Sequence, residues 1–117
     1  MSIDFRLVLC TCPDASSADQ LASALVNLHL VACVNILPGL RSIYRWQGRV
    51  ESQEECLLII KTHGSCLPAL QVELVNLHPY DVPEFIVFNI DDGYGPYFSW
   101  LLSAISVSDT FTFTPKS

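Results

Sequence analysis

Positive charge is the scarcest resource in this sequence. Six Lys and Arg stand against twelve Asp and Glu, for a net charge of −6. Such a surface repels a phosphate backbone, so general nucleic-acid binding is disfavoured. Charge of either sign is sparse, at 15% of residues, yet no apolar run approaches the roughly 20 residues that span a bilayer. The opening "MSIDFRLVLCTCPD" has too short an apolar stretch for a secretory signal, which gives the expectation of a soluble, unexported chain. Also missing are a phosphate-binding glycine loop, HExxH and GxSxG. In "DDGYGP" the two glycines lack the strand-to-helix spacing of a phosphate cradle, and Asp91 and Asp92 repel phosphate, so a turn is expected there. Nothing positive points to an enzyme.

Cysteine is present but not in the pattern of a disulfide scaffold: there are five, an odd number, in apolar or mixed surroundings. A reducing cytoplasm is the simpler setting. Cys10 and Cys12 in "LCTC" fall on the same face of a strand, with Cα atoms about 6.5–7 Å apart, poor spacing for a bridge. Two thiols on one face suit a soft metal if they share a space.

What is plentiful is apolar surface, half of the 117 residues. A chain of this length supports one core and one domain, 1–117. The apolar load exceeds what one such core needs, which implies burial against another subunit. Residues 4–12 read as a strand buried on both faces. A helix follows, with Ala18, Leu21, Ala22, Leu25 and Leu28 on one stripe and a Ser17/Gln20 capping box, Asp14 and Ser16 being rival caps. Residues 32–46 and 49–62 form a long hairpin turning at Gln47-Gly48, with a bulge or bend at Pro38-Gly39. Such a projecting hairpin needs a partner for its edges. Next comes a helix capped by Ser65, with Leu67, Leu70, Leu74 and Leu77 on one face. It ends at His78 because a residue before proline is pushed out of the helical region. A strand over 84–90 and a last helix starting near Pro96 complete a β-α-β-β-α-β-α order. That is an α+β, ferredoxin-like pattern (βαββαβ plus a C-terminal helix). Residues 107–117, with their Thr/Phe alternation, are either a short extra strand or a frayed tail.

The segments "LCTCPD", "CVNILPGLRSIYRWQGRVE", "LLIIKT", "HPYDVPE" and "YFSWL", in this order and spacing, closely resemble the CutA divalent-cation-tolerance family across residues 6–102. The resemblance implies a ferredoxin-like subunit assembled as a homotrimer, similar to the PII nitrogen-signalling proteins, with the hairpin finding its partners on neighbouring subunits. It also implies a link to divalent cations, copper above all. In family members with copper sites the ligands include a cysteine matching Cys10 and histidines in an "HHP" segment matching Leu77, His78 and Pro79. Here Leu77 replaces the first histidine, leaving Cys10 and His78, with Cys12 as a third donor if it faces the same space.

Each of these residues has a plainer reading. Cys10 suits a packed core thiol, and His78, at the carbonyl-rich end of a helix, suits a cap. Lys61, Tyr80, Asp81 and Glu84 are candidates either for a cleft that binds a small polar molecule or for an ion pair that fixes the subunits. Tyr44 and Trp46, set among arginines, resemble some RNA-binding sheets, but the strands lack an RNP pattern. Packing at a subunit interface is the expectation for both. Two functions therefore stand side by side: a divalent-cation (copper) binding trimer for metal tolerance, or a PII-like small-molecule sensor or scaffold acting through an unknown protein partner.

Overall fold

The computed structural model describes residues 4–105, and the Thr/Phe alternation of the tail lies outside them. Four strands, β1 (Phe5–Cys12), β2 (Cys33–Trp46), β3 (Arg49–His63) and β4 (Ile86–Asn89), form one sheet in the order β2-β3-β1-β4. Every pairing is antiparallel. Three helices, α1 (Ala15–Asn27), α2 (Leu67–Leu77) and α3 (Gly95–Ile105), complete the expected α+β, ferredoxin-like order.

Period-two alternation on β1 and β3 builds the core. Val8 pairs with Ile60, Cys10 with Leu58 and Cys12 with Cys56. All six are buried, together with Leu21 and Leu25 of α1 and Leu70 and Leu74 of α2. Each large side chain fully buried in this way contributes about 1.5–3 kcal/mol relative to exposure. The alternate residues Leu7, Leu9, Leu57 and Ile59 are only partly covered. The expectation that β1 is buried on both faces is therefore corrected: helices cover one face, and the other is apolar but open. A second cluster closes one end of the sheet, where Phe98 of α3 stacks on Phe5 at 4.6 Å.

Local chemistry accounts for the turns. Gln47 and Gly48 both have positive φ, +50° and +79°. Two left-handed residues in a two-residue loop match the twist of the flanking strands, which explains the tight closure of Trp46 on Arg49. At Gly39 (φ +76°) the pairing slips by one residue between Leu37 and Leu40, the expected bulge. The hairpin makes the molecule elongated, 51 × 27 × 26 Å.

Some details differ from expectation. Asp14, not a Ser17/Gln20 box, caps α1: its carboxylate accepts the Ser17 N–H at 2.8 Å. Leu28 lies past the last helical residue and is exposed. Ser65 does not cap α2; it sits in a 3₁₀ turn, its own N–H donating to His63 Nδ1. Leu77 is exposed, so the inner face of α2 rests on Leu70 and Leu74. β4 is shorter than the expected 84–90, because the chain pairs with β1 only from Ile86 to Asn89.

The hairpin turn yields a clean test. A Cβ at Gly48 meets nothing within 4 Å, so Gly48→Val acts through backbone strain alone. It should cost about 1–2 kcal/mol and lower the melting temperature by several degrees. Gly95→Ala, at another open position but without positive φ, should melt like the parent. Equal melting of all three proteins would show that the turn is not held in the left-handed region.

Candidate metal centre and adjoining pocket

Cys10 and Cys12, two residues apart on β1, point into the helix-covered side of the sheet. His78 reaches the same place from the end of α2, where Pro79 turns the chain to an extended conformation (φ −76°, ψ 140°). The two sulfurs and one imidazole nitrogen lie within 4.8 Å of one another, and all three residues are buried. Among the described residues this is the one group of three or more His, Cys, Asp or Glu ligand atoms that converges so closely. Cys12 therefore faces the same space as Cys10, the condition on which a third donor depended. Leu77 is exposed and takes no part.

Hydrogen bonds set the resting state of the cluster. The Tyr80 backbone N–H donates to His78 Nδ1 at 3.0 Å, which leaves the ring proton on Nε2. From there it donates to the Thr11 carbonyl at 2.8 Å, with Cys12 Sγ 3.7 Å away. His78 stands at the C-cap of α2, its backbone N–H donating to the Leu74 carbonyl at 3.0 Å, while its imidazole ties the helix terminus to β1. Of the two thiols, Cys12 is the easier to deprotonate. The neighbouring Cys12 sulfur, and then burial, push the Cys10 thiol far above its usual range. The hydrogen bond from Cys10 pulls Cys12 down, against the opposing effect of burial. A metal entering here meets two thiols, of which Cys12 ionises more readily, and an imidazole whose Nε2–H is engaged by the Thr11 carbonyl. Binding must displace the Cys10 proton, and coordination through Nε2 moves the imidazole proton to Nδ1, which then gives up the hydrogen bond from Tyr80 N–H.

A pocket of about 470 Å³ lies over the other, open face of the sheet. Tyr44, Trp46 and Gln53 of the hairpin, Glu55 of β3, and Tyr80 and Glu84 of the 78–85 segment line it. The polar groups form a chain: Tyr44 Oη–H donates to Gln53 Oε1 (2.8 Å), Gln53 Nε2–H to Tyr80 Oη (3.3 Å), and Tyr80 Oη–H to Glu55 Oε2 (2.6 Å). Burial, then the Glu55 charge, raises the Glu84 carboxyl. Burial and the bond to Glu55 likewise raise the Tyr80 phenol.

Lys61 is not part of this pocket. Six residues along β3 from Glu55, about 20 Å away in an extended strand, its Nζ sits 5.7 Å from the Tyr97 ring centroid. The expected grouping of Lys61 with Tyr80 and Glu84 is therefore corrected: Tyr80 and Glu84 come together, and Glu55 takes the place given to the lysine. Glu55, Gln53 and Thr11 were missed. The available signal was strand parity, since Ser42 pairs with Gln53 and Leu40 with Glu55 once the turn and bulge are placed.

Comparisons with known proteins bear on the family and the fold. The profile of the family described as "CutA1 divalent ion tolerance protein" matches residues 6–104. The human "Protein CutA" is 42% identical over 106 residues, 90% of this chain but 59% of the human protein, so the chain spans well under two thirds of that relative. The "Divalent-cation tolerance protein CutA" of Thermus thermophilus is 47% identical over 96 residues, 82% of this chain and 93% of that one. The crystal structure of CutA from Xylella fastidiosa superposes with a TM-score of 0.86 at 41% identity, covering 88% of this chain and 99% of the other. Matched over nearly all of its described length in sequence and in fold, this chain belongs to the CutA1 divalent ion tolerance protein family.

Proposed function

We propose that the chain binds a divalent or soft transition-metal cation at Cys10, Cys12 and His78, with copper the foremost candidate, and serves tolerance to metal ions. The observation that carries this reading is the convergence of two sulfurs and an imidazole within 4.8 Å in a buried setting. Sulfur and imidazole donors suit copper and zinc and poorly suit calcium or magnesium. The role is one of binding, without catalysis. We assign it to a homotrimer in the cytoplasm. The free cysteines fit a reducing compartment. The open apolar face of the sheet, with Trp46 55% and Tyr44 39% exposed on the hairpin, supports burial by neighbouring subunits. A second reading, a PII-like small-molecule sensor or scaffold acting through a protein partner, is favoured by the pocket beside Tyr80 and Glu55.

Calorimetric titration with copper(I) or zinc tests the metal reading. Cys12→Ser and His78→Ala should each weaken binding by about tenfold or more, since each removes one of three donors, while Leu77→Ala should leave it unchanged. Unchanged affinity in both donor variants would remove the cluster from metal binding.

The same titration has a required pH dependence. The Cys10 thiol is raised and must give up its proton, whereas the neutral imidazole only moves its proton from Nε2 to Nδ1, so the bound state holds fewer protons than the free state and affinity rises with pH. Between pH 6 and 7 the gain should be at least about tenfold, and metal uptake should acidify an unbuffered solution. Affinity independent of pH would contradict deprotonation of the donors.

Sedimentation equilibrium tests the assembly. A trimer is expected, and Trp46→Ala should cost about 2–4 kcal/mol per interface, with melting that becomes more concentration-dependent. A stable monomer, or a variant that melts like the parent at every concentration, would reject Trp46 as an interface anchor.

A further inference from the structure

We propose that Cys12 and Cys56 are a redox modification site, closing reversibly into a disulfide across β1 and β3 that takes Cys12 away from the metal centre. The bridge stands on its own geometry, and only its effect on metal rests on the metal reading.

Strand register selects this pair among the five cysteines. Cys12 and Cys56 are direct partners on antiparallel strands, they belong to the same buried cluster, and both are free thiols. Cys10 stands opposite Leu58 and Cys33 opposite Lys61, while Cys66 lies in the 3₁₀ turn beyond β3. On the same ladder the Gly64 N–H donates to the Asp4 carbonyl, so even-numbered residues of β1 sit in hydrogen-bonded pairs, with Cα atoms about 5.5 Å apart. A disulfide spans Cα separations of about 4.4–6.8 Å. The two Cβ atoms have to draw together by roughly 1 Å to close it.

Both strands can give at this point. Cys12 is the last residue of β1, directly before Pro13. Cys56 has no partner on β2, because Leu57 pairs with Leu37 and Glu55 with Leu40, and the bulge at Pro38-Gly39 stands opposite it. The strain that remains makes the bond easier to reduce than a structural disulfide, which a reversible site requires.

Cys56 is where an oxidant enters, being 5% exposed against 0% for Cys10 and Cys12. Hydrogen peroxide takes two electrons from the Cys56 thiol, leaving a sulfenic acid and one water. The Cys12 sulfur then attacks the Cys56 sulfur, the S–O bond breaks, and the hydroxyl departs with the Cys12 proton as a second water. An external dithiol returns two electrons and two protons and frees both thiols. Burial raises the Cys56 thiol, so the first step is slow and the pair responds to sustained oxidant rather than to a brief pulse. With Cys12 bridged, only Cys10 and His78 remain of the converging donors, short of the three or four that hold zinc or copper well.

The test treats the purified, metal-free protein with hydrogen peroxide, alkylates the remaining thiols and maps the linkage by mass spectrometry without reduction. A Cys12–Cys56 bridge, reopened by dithiothreitol, is expected in the parent and in Cys10→Ser, and no bridge in Cys56→Ser or Cys56→Ala. Zinc affinity should fall by about tenfold or more in the bridged protein and recover on reduction. Cys56→Ala keeps all three donors, so it should bind zinc like the parent and hold that affinity through the same peroxide treatment. A bridge between Cys10 and Cys12, a bridge to Cys33 or Cys66, oxidation to sulfinic acid without a bridge, or a protein unchanged by peroxide would overturn the site. A Cys12–Cys56 bridge that leaves zinc affinity unchanged would overturn its control of the metal centre. A bridge formed in a protein that binds no zinc even when reduced would leave the disulfide standing and overturn the metal reading instead.

Discussion

The antiparallel pairing of β1 with β3 is the constraint on which the rest of the molecule depends. Because strand side chains alternate, one register decides two environments at once. Even-numbered residues of β1 (Val8, Cys10, Cys12) pair with Ile60, Leu58 and Cys56 beneath the helices. Thr11, on the other side of the same strand, lines the pocket with Glu55. A slip of one residue would either bring Glu55 under the helices or put the thiols out on the open face. The metal centre and the pocket are therefore two consequences of a single hydrogen-bonded ladder.

The 78–85 segment joins them. His78 is anchored to the Thr11 carbonyl, and two residues later Tyr80 bonds Glu55 on the pocket side. The Tyr80 N–H that fixes the His78 tautomer also fixes the start of the pocket wall. This polar wiring is complete: among the described residues no buried side-chain nitrogen or oxygen lacks a hydrogen-bond partner. What is incomplete is charge. With twice as many acids as Lys and Arg in the chain and one ion pair in the described part, Glu55 relies on the neutral Tyr80 phenol, and burial and then the Glu55 charge raise Glu84.

The features legible in the sequence are those set by local chemistry. Gln47-Gly48 and Pro38-Gly39 announced the turn and the bulge because positive φ strongly favours glycine and, less often, Asn or Asp. Pro79 announced the end of α2 because its ring excludes a helical His78. Pairing of Cys10 with Cys12 followed from the two-residue period alone. The features that were not legible depend on what other segments bring. An apolar β1 gives no sign whether its second face meets a helix or another subunit. The acids of "ESQEEC" read as a solvated stretch, and nothing near them shows that Tyr80 covers Glu55. Lys61 has the right parity for the pocket but the wrong distance along β3, and only the position of the 78–85 segment reveals this. Three residues competed to cap α1, and the geometry that favours Asp14 exists only once the chain has turned at Pro13.

The central claim is that two sulfurs and one imidazole hold the metal. X-ray absorption spectroscopy on the protein loaded with one equivalent of zinc, a redox-silent stand-in for copper, tests it most directly. The account predicts two sulfur neighbours at about 2.3 Å and a nitrogen at about 2.0–2.1 Å, with the sulfur signal halved in Cys12→Ser. A shell of oxygen and nitrogen alone, unaltered in that variant, would contradict it.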